Sequence, residues 1–235
     1  DPRQAPLRRD RRLAEQLAAV LRRELDSGGQ DAALCVFLCR ALGEFQVDAS
    51  LPVLADAAAS RTDQVQRSAV ESLAILADRL GADDVWSSAG VRAAILQASR
   101  APAPALRAAA AFTLGVVGNL EAQQRLESML ADQDVIVRYN AATALARAGY
   151  GRAVGVLLEM LAPDQAAALA GAPDEAARIR QRETIHANAL EAVEQLLHAN
   201  PAIAISAFED ALARLRQSRP PPTILARIQR LGELK

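Results

Sequence analysis

The feature that most constrains the fold of this chain is a helix-pair pattern that recurs along the sequence. The clearest copy is 120–149, in which one amphipathic segment carries Leu126, an acidic turn ends at Asp134, and a second segment carries Val137, Ala141 and Leu145. Moved back by 31 positions, as from Arg138 to Arg107, the pattern falls on 89–118; moved back by 72, it falls on 48–77. Because both helices keep the same offset, the spacing predicts stacked, repeated helix pairs.

Composition agrees with an all-α fold, since apolar residues make up 51% of the chain and no alternating strand pattern occurs. The sequence predicts a single α-solenoid domain over 1–235, a right-handed superhelix of about five helix pairs plus a terminal helix. The predicted repeats are 13–43, 49–80, 91–118, 120–149 and 152–199, followed by a C-terminal cap at 201–235. Extra residues at 81–90 and 163–175, rich in loop-forming residues, are predicted insertions and the first sites of proteolysis.

A family resemblance is carried by two segments, LRAAAAFTLGVVG and VRYNAATALARAG, which resemble the second helix of HEAT repeats, especially the bacterial type also found in phycobilin lyase subunits. The resemblance covers about 50–200 and is best over 91–161. It implies antiparallel helix pairs whose second helices line a concave face, with Asp-to-Arg contacts between successive turns. Arg107 and Arg138 occupy the Arg position, whereas the second repeat has Gln66 there.

The charge of the chain argues against nucleic-acid binding. The formal net charge is −1 and aromatic residues make up only 3%, so neither a basic field nor a set of stacking platforms is available. The Arg-rich start, with Arg8, Arg9, Arg11 and Arg12, is interpreted as a solvated cap, the alternative being contact with an anionic partner.

No motif predicts catalysis, a metal site or a cofactor. Cys35 and Cys39, one helical turn apart, lack the further ligands that a zinc site needs and are interpreted as buried and inert. Glu183 and His186 have the Glu-x-x-His spacing of di-iron bundles, but only one copy is present. The prediction is therefore a non-catalytic chain, with an enzyme or enzyme subunit of the bilin-lyase type kept as an alternative because of the resemblance.

The predicted function is a protein–protein interaction scaffold that uses the concave face of the repeats, with a nucleic-acid-binding HEAT-like protein as a further alternative. In the resembling repeats the positions of Tyr139, Thr143 and Arg147 face solvent, and the repeat offsets carry them onto two earlier helices. The candidate protein-binding residues are Arg67, Glu71, Ile75, Phe112, Val116, Tyr139, Thr143 and Arg147, with Trp86 of the first insertion. For Trp86 and Phe112 the alternative is packing that closes a gap in the stack.

The expected partner is another protein of unknown identity. No apolar run is long enough for a membrane span, and the oligomeric state is left open. Localisation is also open: the cytoplasm is favoured, and the start at Asp1 without Met is compatible with removal of an upstream export or anchor segment.

Overall fold

The computed structural model describes residues 8–164 and 166–233, except for the side chain of Ala166. The ends of the predicted domain, 1–7 and 234–235, lie outside the described residues, as does residue 165 of the second predicted insertion. The regular secondary structure of the described part is helical. Its longer helices are α1 Arg11–Asp26, α2 Ala32–Gly43, α3 Leu51–Ala58, α4 Asp63–Leu80, α5 Ala82–Ser87, α6 Ala89–Ala98, α7 Pro104–Val117, α8 Leu120–Met129, α9 Val135–Arg147, α10 Val154–Met160, α11 Ala166–Leu169, α12 Glu175–Ala199, α13 Glu209–Gln217 and α14 Pro222–Gly232.

Acidic caps set where several helices begin. The side chain of Asp31 accepts a hydrogen bond from the Leu34 amide at the start of α2, and that of Asp174 does the same for Ala177 in α12. Asp134 accepts from two amides of α9. These side chains satisfy donors that have no partner inside the helix. These aspartates therefore determine where the helices begin through contacts within two or three residues, independently of packing between helices.

The structure comprises two compact units. One comprises Asp1–Arg125 and the other Leu126–Lys235, so the boundary lies inside α8. In the first unit, α4 packs between α2 and α7, and α1, α3 and α6 pack as the opposing layer. In the second unit, α9 packs on α12 and α10, and α14 packs on α12. The all-α class and the paired-helix architecture of a solenoid are confirmed, while the single-domain boundaries and the superhelical shape stay predictions.

Small polar residues let the second helices of the first unit approach closely. The Ser68 hydroxyl of α4 donates to the Val36 carbonyl of α2 at 3.3 Å, and the Thr113 hydroxyl of α7 donates to the Val70 carbonyl of α4 at 3.1 Å. A Cβ on Gly43 would lie 3.0 Å from the Cβ of Ser72. Any larger residue at Gly43 would therefore push α2 away from α4.

The arginines at the repeat position share one geometry. Nη1 of Arg107 donates to the carbonyls of Ala101 and Pro102, and Nη1 of Arg138 donates to the carbonyls of Asp132 and Gln133. In each case the acceptors lie six and five residues earlier, in the turn before the second helix. Each arginine thus satisfies carbonyls that the turn leaves without a helical partner.

The two predicted insertions both contain a helix. Residues 81–90 hold α5, which packs on α4, α6 and α7, and residues 163–175 hold α11, which contacts α9 and α12. Among the described residues, no helix is long and apolar enough to cross a membrane.

Candidate functional site

The candidate surface in the first unit lies on the outward side of its second helices. On α4, Arg67, Glu71 and Ile75 follow one another at four-residue spacing, opposite a buried side that includes Ala69 and Leu73. Side chains four apart lie on one helical face. Arg67 and Glu71 form an ion pair of 3.7 Å in which both side chains are 46% exposed, so solvent screening leaves it a small energetic role.

Helix α7 places its candidate residues in the same way. Phe112 and Val116 lie one turn apart on the side away from the buried residues Ala110 and Leu114. Phe112 is 48% exposed and Val116 is half-buried. Because α4 and α7 pack side by side, the five candidate residues on these two helices lie on the outward faces of neighbouring helices, as the repeat offset predicts.

A second exposed aromatic residue, Phe37, was missed by the sequence analysis. Phe37 is 64% exposed and lies on α2, on the side away from the buried Cys35, Leu38 and Leu42. The helical spacing of those apolar residues could have identified it as the outward residue. We call the combined outward side of α2, α4 and α7 the Phe face; it comprises Phe37, Arg40, Arg67, Glu71, Ile75, Phe112 and Val116.

In the second unit, the exposure predicted for Tyr139 is wrong. Tyr139 is only 6% exposed, although the sequence alone suggests solvent there. Glu159 of α10, a helix that packs on α9, interacts with its hydroxyl. Burial raises the pKa of Tyr139 to about 12, and the negative charge of Glu159 acts in the same direction. Tyr139 is therefore a core residue of this unit rather than a contact for a partner.

The other two candidates on α9 remain accessible to different degrees. Thr143 is half-buried, and its hydroxyl donates to the Asn140 carbonyl within the helix. Arg147 is exposed and lines an open groove of about 730 Å³ with residues of α12 and α14. The candidate residues predicted from the sequence belong to both compact units, and the structure describes each group within its own unit.

Trp86 folds back onto its own unit. It is 7% exposed, and its indole N–H donates to a carboxylate oxygen of Glu121 at 3.3 Å. Its neighbour Val85 is fully buried. Of the two interpretations made from the sequence, packing against the stack is the one that fits, and a direct role for Trp86 as an exposed anchor is wrong.

The titratable side chains Cys35, Cys39 and His186 are buried and pack in the core. Cys35 and Cys39 are buried free thiols, and burial raises the pKa of Cys39 to about 12. His186 is 3% exposed, with Nε2 at 3.1 Å from the Ala162 carbonyl, and burial lowers its pKa. In the part of the chain that the structure describes, no three His, Cys, Asp or Glu side chains are grouped so that they could hold a metal ion.

Three of the four N-terminal arginines, Arg8, Arg9 and Arg11, make local contacts. Arg8 pairs with Glu44 at 3.4 Å, and Arg11 pairs with Glu15 and with Asp48 at 3.0 and 3.1 Å. Arg9 donates to the Gln46 amide oxygen at 3.4 Å. The contacts to Glu44, Gln46 and Asp48 tie the chain around the start of α1 to the segment after α2, which accounts for Arg8, Arg9 and Arg11 without an anionic partner.

The comparisons with known proteins point to one repeat family. Residues 91–177 match the family model for HEAT repeats. The X-ray structure of YibA from Escherichia coli is similar over 95% of this chain and 83% of its own, with 16% sequence identity and a TM-score of 0.44. No curated protein has a significant sequence match to the chain. None of these findings bears on the resemblance to phycobilin lyase subunits.

Proposed function

We propose that this chain is a non-catalytic scaffold that binds another protein through the Phe face, since residues 91–177 match the model for HEAT repeats, a helical repeat commonly used for protein interaction. The observation that carries the proposal is the exposure of Phe37 and Phe112 on the outward sides of α2 and α7. The other two phenylalanines described, Phe45 and Phe208, are buried. A fully exposed phenylalanine forgoes roughly 1.5–3 kcal/mol of burial free energy. Phe37 and Phe112 are 64% and 48% exposed, so a partner could recover a corresponding part of it at each residue.

The composition of the Phe face supports a protein as the partner. Apolar side chains such as Phe112, Val116 and Ile75 lie among charged ones, Arg40, Arg67 and Glu71. Protein–protein interfaces combine apolar and charged side chains, and aromatic residues contribute much of the binding energy in such interfaces. The mixed signs of charge also disfavour a phosphate backbone, which requires a predominantly basic surface.

The non-catalytic part of the proposal rests on the roles of the reactive groups. Cys39 and His186 have pKa values moved by burial toward the uncharged forms at neutral pH. Neither lines the groove that contains Arg147, and both are buried. We interpret them as core residues, since a catalytic group must be accessible to its substrate.

The proposal is tested by comparing the proteins that two variants retain from an extract of the source cells. The test variant is Phe37→Ser with Phe112→Ser; the matched control is Val20→Ser with Leu120→Ser, which also removes two exposed apolar side chains of the first unit. We expect quantitative mass spectrometry to find a protein that the wild type and the control retain and the test variant loses. Melting temperatures within a few degrees of the wild type would establish that all three chains are folded.

A photo-crosslinking amino acid gives the position of the contact. Introduced in place of Phe112, it should crosslink to the same protein, whereas at Val20 on α1 it should not. If the control variant loses the partner as fully as the test variant, or if crosslinking is equal at both positions, the Phe face is not the binding surface.

A further inference from the structure

A groove in the second unit is lined by charged residues that do not belong to the Phe face. It is formed where α12 packs between α9 and α14, and its volume is about 730 Å³. Three arginines line it, Arg147 from α9 and Arg227 and Arg230 from α14. The acidic residues in the groove, Glu191 and Glu194, both come from α12. The arginines therefore flank a central acidic helix.

The arginines of the groove differ in how they are held. Arg227 lies 3.6 Å from Glu191 and donates to the Ala187 carbonyl at 3.2 Å, so contacts to α12 fix its position. Arg147 and Arg230 are exposed and make no hydrogen bond or ion pair with the described residues. One arginine is thus used structurally, and two guanidinium groups remain available on opposite sides of the groove.

We propose that this groove is a second docking surface, which binds an acidic segment of a partner protein through Arg147 and Arg230. The planar guanidinium group binds a carboxylate through two parallel hydrogen bonds, which favours acidic side chains as its partners. The proposal does not depend on the Phe face, because it concerns other residues in the other compact unit.

The acidic residues of the groove decide between a peptide and a nucleic acid. A nucleic-acid backbone presents a continuous row of phosphates, and Glu191 and Glu194 would repel the phosphates that pass over α12. A peptide can place its acidic side chains beside Arg147 and Arg230 and a neutral or basic residue beside Glu194. Charge complementarity of this kind favours one partner over others of the same net charge.

Fluorescence polarisation at low ionic strength tests the proposal. The probe is a short fluorescein-labelled peptide of Glu and Gly, and the same peptide with Gln in place of Glu is its control. The test variant is Arg147→Gln with Arg230→Gln; the matched control is Arg180→Gln with Arg214→Gln, which removes two other exposed arginines of the same unit and gives the same net charge. We expect the wild type and the control to bind the Glu peptide alike and the test variant to bind about tenfold more weakly.

Several outcomes would overturn the proposal. Equal weakening by both variants would mean that the peptide responds to overall charge and not to this groove. Equal binding of the Gln peptide would exclude recognition of carboxylates, and tighter binding of a single-stranded oligonucleotide of the same charge would make the groove a nucleic-acid site.

Two further variants sharpen the test. Arg147→Lys with Arg230→Lys, which keeps the charge but not the paired hydrogen bonds, should bind with intermediate affinity. Phe37→Ser with Phe112→Ser should bind the peptide like the wild type, so failure of the Phe-face proposal remains distinguishable.

Discussion

At the scale of single residues, the small side chains of the second helices determine how closely the helices pack. Ala110 of α7 and Ala141 of α9 are fully buried at equivalent repeat positions. Alanine leaves space for a neighbouring backbone and favours the helix. A longer side chain at such a position has to displace a helix, whereas the same side chain on the outward face meets only solvent.

Replacing Ala141 with Glu should therefore destabilise the chain by about 3 kcal/mol or more, because the new side chain is too large for its space and would bring an unpaired charge into the core. The matched control is Ala148→Glu at the exposed residue that follows the end of the same helix, for which we expect a cost below about 1 kcal/mol. Chemical denaturation measures both values. Similar unfolding free energies for the two variants would contradict the burial of Ala141.

His186 should make the stability of the chain depend on pH. Burial lowers its pKa, the Arg182 charge acts in the same direction, and the contact with the Ala162 carbonyl opposes them. Below the ordinary histidine pKa of about 6.5, the unfolded chain therefore binds a proton that the folded chain takes up only at lower pH. The free energy of unfolding should fall as the pH falls through this window and should be unaffected by His186 above it.

The measurement for His186 is the denaturation midpoint of the wild type and of His186→Gln from about pH 8 to about pH 5. Other groups also titrate toward the acidic end, so the difference between the two chains is the quantity of interest. We expect the wild type to lose more stability than the variant over this range. Parallel curves would show that His186 does not titrate differently in the folded chain.

At the scale of helices and turns, the two insertions differ in how they are held. Residues 81–90 bury Val85 and Trp86, and Trp86 also donates to Glu121. Residues 163–175 bury Ala168 and Leu169, and the described residues around Gly171 are mostly exposed. The sequence suggests equal susceptibility to proteolysis, whereas the contacts favour the second insertion as the weaker one.

Limited digestion with a protease of low sequence specificity should therefore cut first within 163–175 and later within 81–90. Intact-mass analysis of the first fragments identifies the site. Trp86→Ala should accelerate cleavage within 81–90, since it removes the side chain that holds this segment to its unit. Early cuts inside α7 or α9 would instead show that the helix-pair boundaries are wrong.

At the scale of the whole molecule, the chain has two compact units and one tryptophan. Trp86 belongs to the first unit, so its fluorescence reports on that unit, whereas far-UV circular dichroism reports on all helices. Repeat proteins are stabilised mainly by contacts between neighbouring repeats, and their unfolding can depart from two-state behaviour.

Denaturation followed by the two signals should respond differently to a change in the second unit. Ala141→Glu should shift the circular dichroism transition to lower denaturant concentration and shift the Trp86 transition less. Ala110→Glu, an equivalent change in the first unit, provides the comparison and should shift the Trp86 transition strongly. Coincident transitions in both variants would show that the chain unfolds as one cooperative unit.

The sequence by itself determined the helices, the caps and the repeat. Helical spacing and N-terminal aspartates such as Asp134 act within a few residues, so their effect can be read locally. The repeat offset also placed Arg67, Glu71, Ile75, Phe112 and Val116 on outward faces, because each of these positions is set by the core residues of its own helix.

Only the tertiary structure decided which outward positions a neighbouring element covers. Tyr139 occupies the position equivalent to Arg67 on α4, yet it is buried. Trp86 is buried because its insertion folds onto its unit and Glu121 accepts its N–H. The groove lined by Arg147, Arg227 and Arg230 combines residues from helices far apart in sequence. Burial of this kind depends on contacts between distant segments, and the spacing within one helix does not contain that information.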